Sequence, residues 1–169
     1  MKIKRMQSII TILCNFHNIR LTWKKSDNAG WCWQELREIR IAPIKGKLDF
    51  WVALHEIGHI VADVTGVLQD HPVPEYMSEY AANIYALNMM AQLGINLKIY
   101  KEHARRYQVS VIADAINKRE LKVKNIHPEV AAFCNIDFSA WNRAKNIRVV
   151  KNYERFPHSK YPMQIYVTK

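Results

Sequence analysis

Phe50-Trp51-Val52-Ala53-Leu54-His55-Glu56-Ile57-Gly58-His59-Ile60-Val61 is the stretch on which the reading of this chain turns. Its centre is His-Glu-x-x-His. On a helix, His55 and His59 are four residues apart, so both imidazoles leave the same face. Two neutral imidazoles so spaced can grip one Zn²⁺ at about 2.0–2.1 Å each. Glu56 lies about 100° further round the helix. It misses the ion but reaches a water beside it, where a carboxylate can act as general base. The competing reading is an exposed helix with two unrelated histidines. Phe50, Trp51, Val52, Leu54, Ile57, Ile60 and Val61 oppose it, because they make the helix mostly buried. A buried helix rarely carries two histidines and a glutamate without partners.

Outward from this helix the chain reads as helices around a few short strands. Residues 4–18 predict a helix with an apolar stripe of Ile9, Leu13 and Phe16, joined by Ile12 and Ile19. Ile19-Arg20-Leu21-Thr22-Trp23 alternates as a strand does, Lys24 to Gly30 is turn-rich, and Trp31-Cys32-Trp33 starts a second strand. Glu38-Ile39-Arg40-Ile41-Ala42 alternates again and Pro43 ends it. These strands predict a small antiparallel sheet under the His-Glu helix. The paired tryptophans suit its core or edge better than a ligand platform. Asp49 is the expected N-cap of a helix over 50–64 that stops near Thr65-Gly66. Residues 69–74 form a loop, and further helices are expected over 75–93, 96–118, 128–134 and 138–146, with brief alternation at Ile165-Tyr166-Val167. The expected fold class is α+β, mostly helical, with a small antiparallel sheet. Residues 1–169 are expected to be one domain, with its core in 5–93 and a helical extension and tail in 95–169.

Composition bounds the function. The chain has 169 residues, 49% of them hydrophobic, enough for a real core and too apolar for global disorder. Its three cysteines, Cys14, Cys32 and Cys134, form no Cys-x-x-Cys pair, so neither a zinc ribbon nor a disulfide framework is supported, and a reducing, cytoplasmic setting is expected. Lys2, Lys4 and Arg5 before Ile9 and Ile10 imitate a signal peptide. Gln7, Ser8 and Thr11 break the apolar run, so the segment is read as a mature helix. No segment is long enough to span a bilayer, so no membrane partner is expected. The formal net charge of +10 is spread along the chain, with local enrichment at 98–106, 118–124 and 143–155. Diffuse charge of this kind is more often a solvated surface than a nucleic-acid reading head.

A catalytic zinc needs three protein ligands and an open position. Asp63 sits about 12 Å along the helix axis from His55, too far to share an ion with both histidines. His71 reads as a solvated loop histidine. Glu75 and Glu79 remain, both on the next long helix. Asn83 follows Glu79 by one turn, where its amide can accept the free ring N–H of a liganding histidine and fix its tautomer. That favours Glu79 as ligand. With Glu75 as ligand, Glu79 would instead be the orienting carboxylate.

Phe50 to Ile60, followed by Glu79-Tyr80-Ala81-Ala82-Asn83-Ile84-Tyr85-Ala86, resembles the ImmA/IrrE family of phage and bacterial metallopeptidases. That family pairs His-Glu-x-Gly-His with a downstream Glu-x-x-Ala-Asn/Asp-x-Phe-Ala segment; here Tyr85 stands in place of the phenylalanine. The resemblance covers about residues 5–93. It implies a zincin-like fold of the gluzincin type, with His55, His59 and Glu79 as zinc ligands and Glu56 as catalytic base. It also implies a narrow protein substrate, such as a phage or mobile-element repressor with a helix-turn-helix, here on a separate chain. Two other readings compete. One is a basic nucleic-acid-associated module using Trp31, Trp33, Trp141, Tyr100 and Tyr107, whether a DNA-binding domain or a protease resembling the SprT-like group, although the zinc-ribbon cysteines are missing. The other is a zincin fold without activity that works by binding a partner, against which the intact Glu56 argues.

Overall fold

The computed structural model describes residues 1–24, 30–62, 73–142, 146–149 and 165–168. Asp63, Asp70, His71 and most of the Lys24–Gly30 turn lie outside the described residues, as does the tail over 150–164. Helices and short strands make an α+β fold whose backbone contacts gather into two compact units. One comprises Met1–Val73 with Ala81–Tyr100, the other Pro74–Tyr80 with Lys101–Lys169.

The first unit begins with α1 (Ile3–Phe16), which buries Met6, Ile10 and Cys14. These are four residues apart, one per turn of a single face. The buried stripe therefore lies to one side of the predicted one: Ile12 is 64% and Phe16 77% exposed. Burial also pushes the Cys14 thiol up to about 11.

Three strands follow: β1 (Arg20–Trp23), β2 (Trp31–Trp33) and β3 (Glu38–Ile41). Their order is β1-β3-β2. β3 pairs antiparallel with β2, placing Cys32 opposite Ile39, and parallel with β1, placing Leu21 opposite Ile39. The sheet is thus mixed, where an antiparallel one was expected. Apolar alternation marks a strand without specifying its direction. The central strand carries the apolar load, with Ile39 and Ile41 fully buried. It also buries Glu38, whose carboxylate accepts hydrogen bonds from Arg20 and, at 3.0 Å, from Arg40 Nε. The Arg20 hydrogen bond, then that of Arg40, holds Glu38 below the usual carboxylate range. Trp31 and Trp33 lie on the edge strand under cations: Lys24 Nζ is 4.1 Å from the Trp31 ring centre, and the Arg40 guanidinium 4.7 Å from that of Trp33.

α2 (Lys47–Val61) packs on α1 and on the sheet. It starts three residues before the predicted 50–64 helix. Gly46, not Asp49, is the N-cap; Asp49 sits at N3 and reaches back, its Oδ2 accepting from Gly46 N at 3.0 Å and Lys45 N at 2.8 Å. This satisfies backbone donors that a helix start leaves over. The helix ends at Val61, because Ala62 is extended with ψ 110°. Phe50, Ala53, Leu54 and Ile57 are fully buried, each contributing about 1.5–3 kcal/mol if large. α3 (Glu75–Gln92) buries Ala82, Ala86, Leu87 and Met90 in this unit and stops at Gly94, whose φ of +69° is a left-handed conformation that glycine adopts without strain.

The second unit is built on α4 (Lys98–Asn117) and α5 (Pro128–Cys134). Ala104, Val109, Ile112, Val130, Cys134, Phe138, Trp141 and Ile147 are buried there. The 138–146 helix is corrected to a 3-10 turn over Phe138–Trp141 followed by strand β4 (Asn146–Val149), which pairs antiparallel with β5 (Ile165–Thr168). Asn117 locks β4 with two hydrogen bonds to the Ile147 backbone, of 2.7 and 2.9 Å. Among the described residues, no helix is long and apolar enough to cross a membrane.

Candidate metal centre

The α2 face that carries the histidines is buried because its neighbours are apolar. His55 is 5% exposed and Glu56 9%. Trp51, one turn before His55, lays its ring against that imidazole with centroids 5.2 Å apart, which restricts its rotation. One turn on, the His59 ring stands edge-on to His55, with centroids 4.7 Å apart. The two Nε2 atoms are 3.1 Å apart. Two ligands held about 2.05 Å from a tetrahedral Zn²⁺ are about 3.3 Å from each other, so the pair is spaced as a metal would need. At the end of the helix, the carbonyl of His59 accepts from Gln34 Nε2 at 2.8 Å, which satisfies one of the acceptors a helix C-terminus leaves over.

α3 supplies the third donor. Gly58, inside the His-Glu-x-x-His stretch, is where α2 meets it. A Cβ at Gly58 would lie 2.8 Å from the Ala82 Cα and 3.0 Å from its carbonyl oxygen, both backbone atoms that cannot swing aside. Only glycine allows this approach. Tyr85 Cβ is 3.2 Å from the same point, and burial pushes the Tyr85 phenol up. His55, His59 and Glu79 each offer one ligand atom, and these atoms all lie within 4.8 Å of one another. Two imidazole nitrogens and one carboxylate oxygen are a donor set that zinc accepts, and the group could hold a metal ion.

Of the two glutamates weighed, Glu79 is in this group. Glu75, in the first turn of α3, is exposed and is not. Asn83 is fully buried one turn beyond Glu79. Two tyrosines of α3 near Glu79 are engaged in packing. Tyr76 donates to the Asn125 carbonyl at 3.2 Å, and the Tyr80 ring packs on Phe133 at 5.4 Å. Trp141, proposed for base stacking, is 4% exposed and cannot offer a face to a ligand.

Gly30 is a contact that sequence reading missed. A Cβ there would lie 2.5 Å from Glu56 Cγ and Oε1 and 2.7 Å from Cδ. The segment entering β2 therefore presses its bare backbone against the Glu56 side chain. In the sequence this glycine looks like any other turn residue. Its only signal is position, next to the first residue of the edge strand. Compared with protein-family models, with curated proteins and with solved structures, the chain matches none.

Proposed function

We propose that the chain is a zinc-dependent endopeptidase. The observation that carries this reading is the convergence of His55, His59 and Glu79 from two helices, with the buried Glu56 beside the first histidine. When bound, Zn²⁺ would acidify a water and polarise a carbonyl, which is the chemistry that peptide hydrolysis lacks at neutral pH. The chain's own groups supply the rest. His55 and His59 donate neutral nitrogens, and Trp51 steadies the first of them. Asn83 is positioned on α3 to act on the ring N–H that liganding leaves over. The Glu56 carboxylate takes a proton from the attacking water and returns it to the leaving amine. Burial of this carboxylate keeps bulk water from competing for it.

The likeness of residues 50–60 and 79–86 to ImmA/IrrE metallopeptidases supports a zincin-like fold and a narrow target. The substrate class proposed is an exposed segment of a specific protein, with a phage or mobile-element repressor as first candidate. Glu56→Gln tests the reading, since an amide keeps the shape and removes the base. Zinc content should match the parent while cleavage of a candidate repressor falls by about 10²–10⁴-fold or more. Undiminished cleavage in that variant refutes the scheme.

A further inference from the structure

The second unit carries a groove of about 410 Å³ lined by Ile116, Leu121, Val123, Trp141, Asn142 and three cations, Arg119, Lys122 and Lys124. Among the described residues, no carboxylate lines it. All three cations are exposed, and none forms an ion pair with a described residue. Elsewhere Arg20 and Arg40 neutralise Glu38 and Arg106 pairs with Glu102 at 2.9 Å, while Lys45, Lys47 and Lys101, like the groove cations, form no ion pair with a described residue; what sets the three apart is that they line one groove. Arg119 sits just past the end of α4, where a cation also offsets the helix dipole. Lys122 and Lys124 lie beyond that end, on and beside the 3-10 turn Val123–Asn125, so helix electrostatics does not account for them. Trp141, buried beneath the groove, is set edge-on against Phe138 at 4.8 Å.

We infer that this groove is a docking site for the phosphodiester backbone of a nucleic acid. Three exposed cations on one groove, with Glu120 of the same stretch outside its described lining, complement a line of phosphates and release its counterions on binding. Asn142 adds an amide that can donate to a phosphate oxygen. Among the described residues no aromatic face is exposed in the groove, Trp141 being buried, so recognition is of the backbone and independent of base sequence. The inference is independent of the metal centre, and it localises a charge that looked diffuse in the sequence.

The test is fluorescence anisotropy of a labelled DNA duplex with the full chain, at low and rising salt. Lys122→Glu/Lys124→Glu should weaken binding about tenfold or more and flatten the log–log salt slope by about 1.8, the loss of two phosphate contacts. Lys2→Glu/Lys4→Glu at the start of α1 makes the same change in net charge and should leave binding within about twofold of the parent. Equal losses in the two variants would show that only net charge matters, and would overturn the proposal. So would failure of the parent to bind, or displacement of the duplex by polyglutamate as readily as by unlabelled DNA, which would assign the groove to an acidic protein. Should the glutamate pair lose its far-UV circular dichroism, Lys122→Gln/Lys124→Gln carries the same comparison.

Discussion

α2 and α4 both bury polar side chains, and they do so for different ends. In α4 the buried amide of Gln108 donates to the Tyr76 carbonyl at 2.7 Å, and Ser110 Oγ to the Tyr107 carbonyl at 2.8 Å. Each is matched to a backbone acceptor, as a core requires of its polar groups. In α2 the buried polar groups are His55 and Glu56; His55 faces the second imidazole at 3.1 Å and the Glu79 carboxylate, while the bare backbone of Gly30 presses on Glu56. Burial of polar groups does not distinguish a structural residue from a functional one. The identity of the partners does.

Three substitutions probe that distinction. Gly30→Ala has the largest expected effect. The added methyl would overlap Glu56 Cγ and Oε1 at 2.5 Å, so the Glu56 side chain or the segment carrying residue 30 must shift. A displacement of about 1 Å at a catalytic group costs about 10²-fold, so cleavage should fall by that order while zinc content is retained. Parent-like turnover would show that the Glu56 position is not set by Gly30.

Gln108→Leu acts on α4. It removes the side-chain hydrogen bond to the Tyr76 carbonyl, which lies in the first turn of α3 and keeps its helical partner, so the cost is that of one buried hydrogen bond, about 0.5–1.5 kcal/mol of stability. Chemical denaturation should show this loss, with zinc content unchanged at temperatures where the protein is folded. A loss of zinc from the folded protein would break the contrast between the helices.

The smallest effect concerns Glu38. Its carboxyl is depressed by Arg20 and Arg40, so its contribution to stability is present above the unfolded carboxylate pKa. It is lost as pH falls through the depressed folded value. Glu38→Gln should therefore lower stability at neutral pH and flatten the acid limb of the stability curve. An unchanged acid limb would remove Glu38 from the account.

The parts of this molecule that were legible in the sequence are those where one pattern has one meaning. Apolar flanks around His55-Glu56-x-x-His59 marked a buried helix with two aligned donors, and Glu79, preferred to Glu75 in the sequence, is the glutamate that groups with them. Patterns with two meanings were not separable. Alternation in Glu38–Ile41 identified a strand and left its parallel pairing with β1 open. Asp49 next to an apolar run suits both an N-cap and an N3 position, and only the extended backbone of Gly46 decides. Residues 146–149 are too few for period 2 to stand out against the end of a helix. Gly30 and the groove beside the 3-10 turn bring together residues that the chain separates by 26 and 23 positions (Gly30 with Glu56, Arg119 with Asn142), which no local pattern encodes.

The central claim is that His55, His59 and Glu79 hold one metal ion, and metal content of the purified chain and two variants tests it most directly. Equilibrated with Zn²⁺ and freed of excess, the parent and Glu75→Ala should each retain about one equivalent, and Glu79→Ala should lose most of it, as expected when one of three protein ligands is removed. Full zinc retention in Glu79→Ala, or its loss in Glu75→Ala, would contradict the assignment.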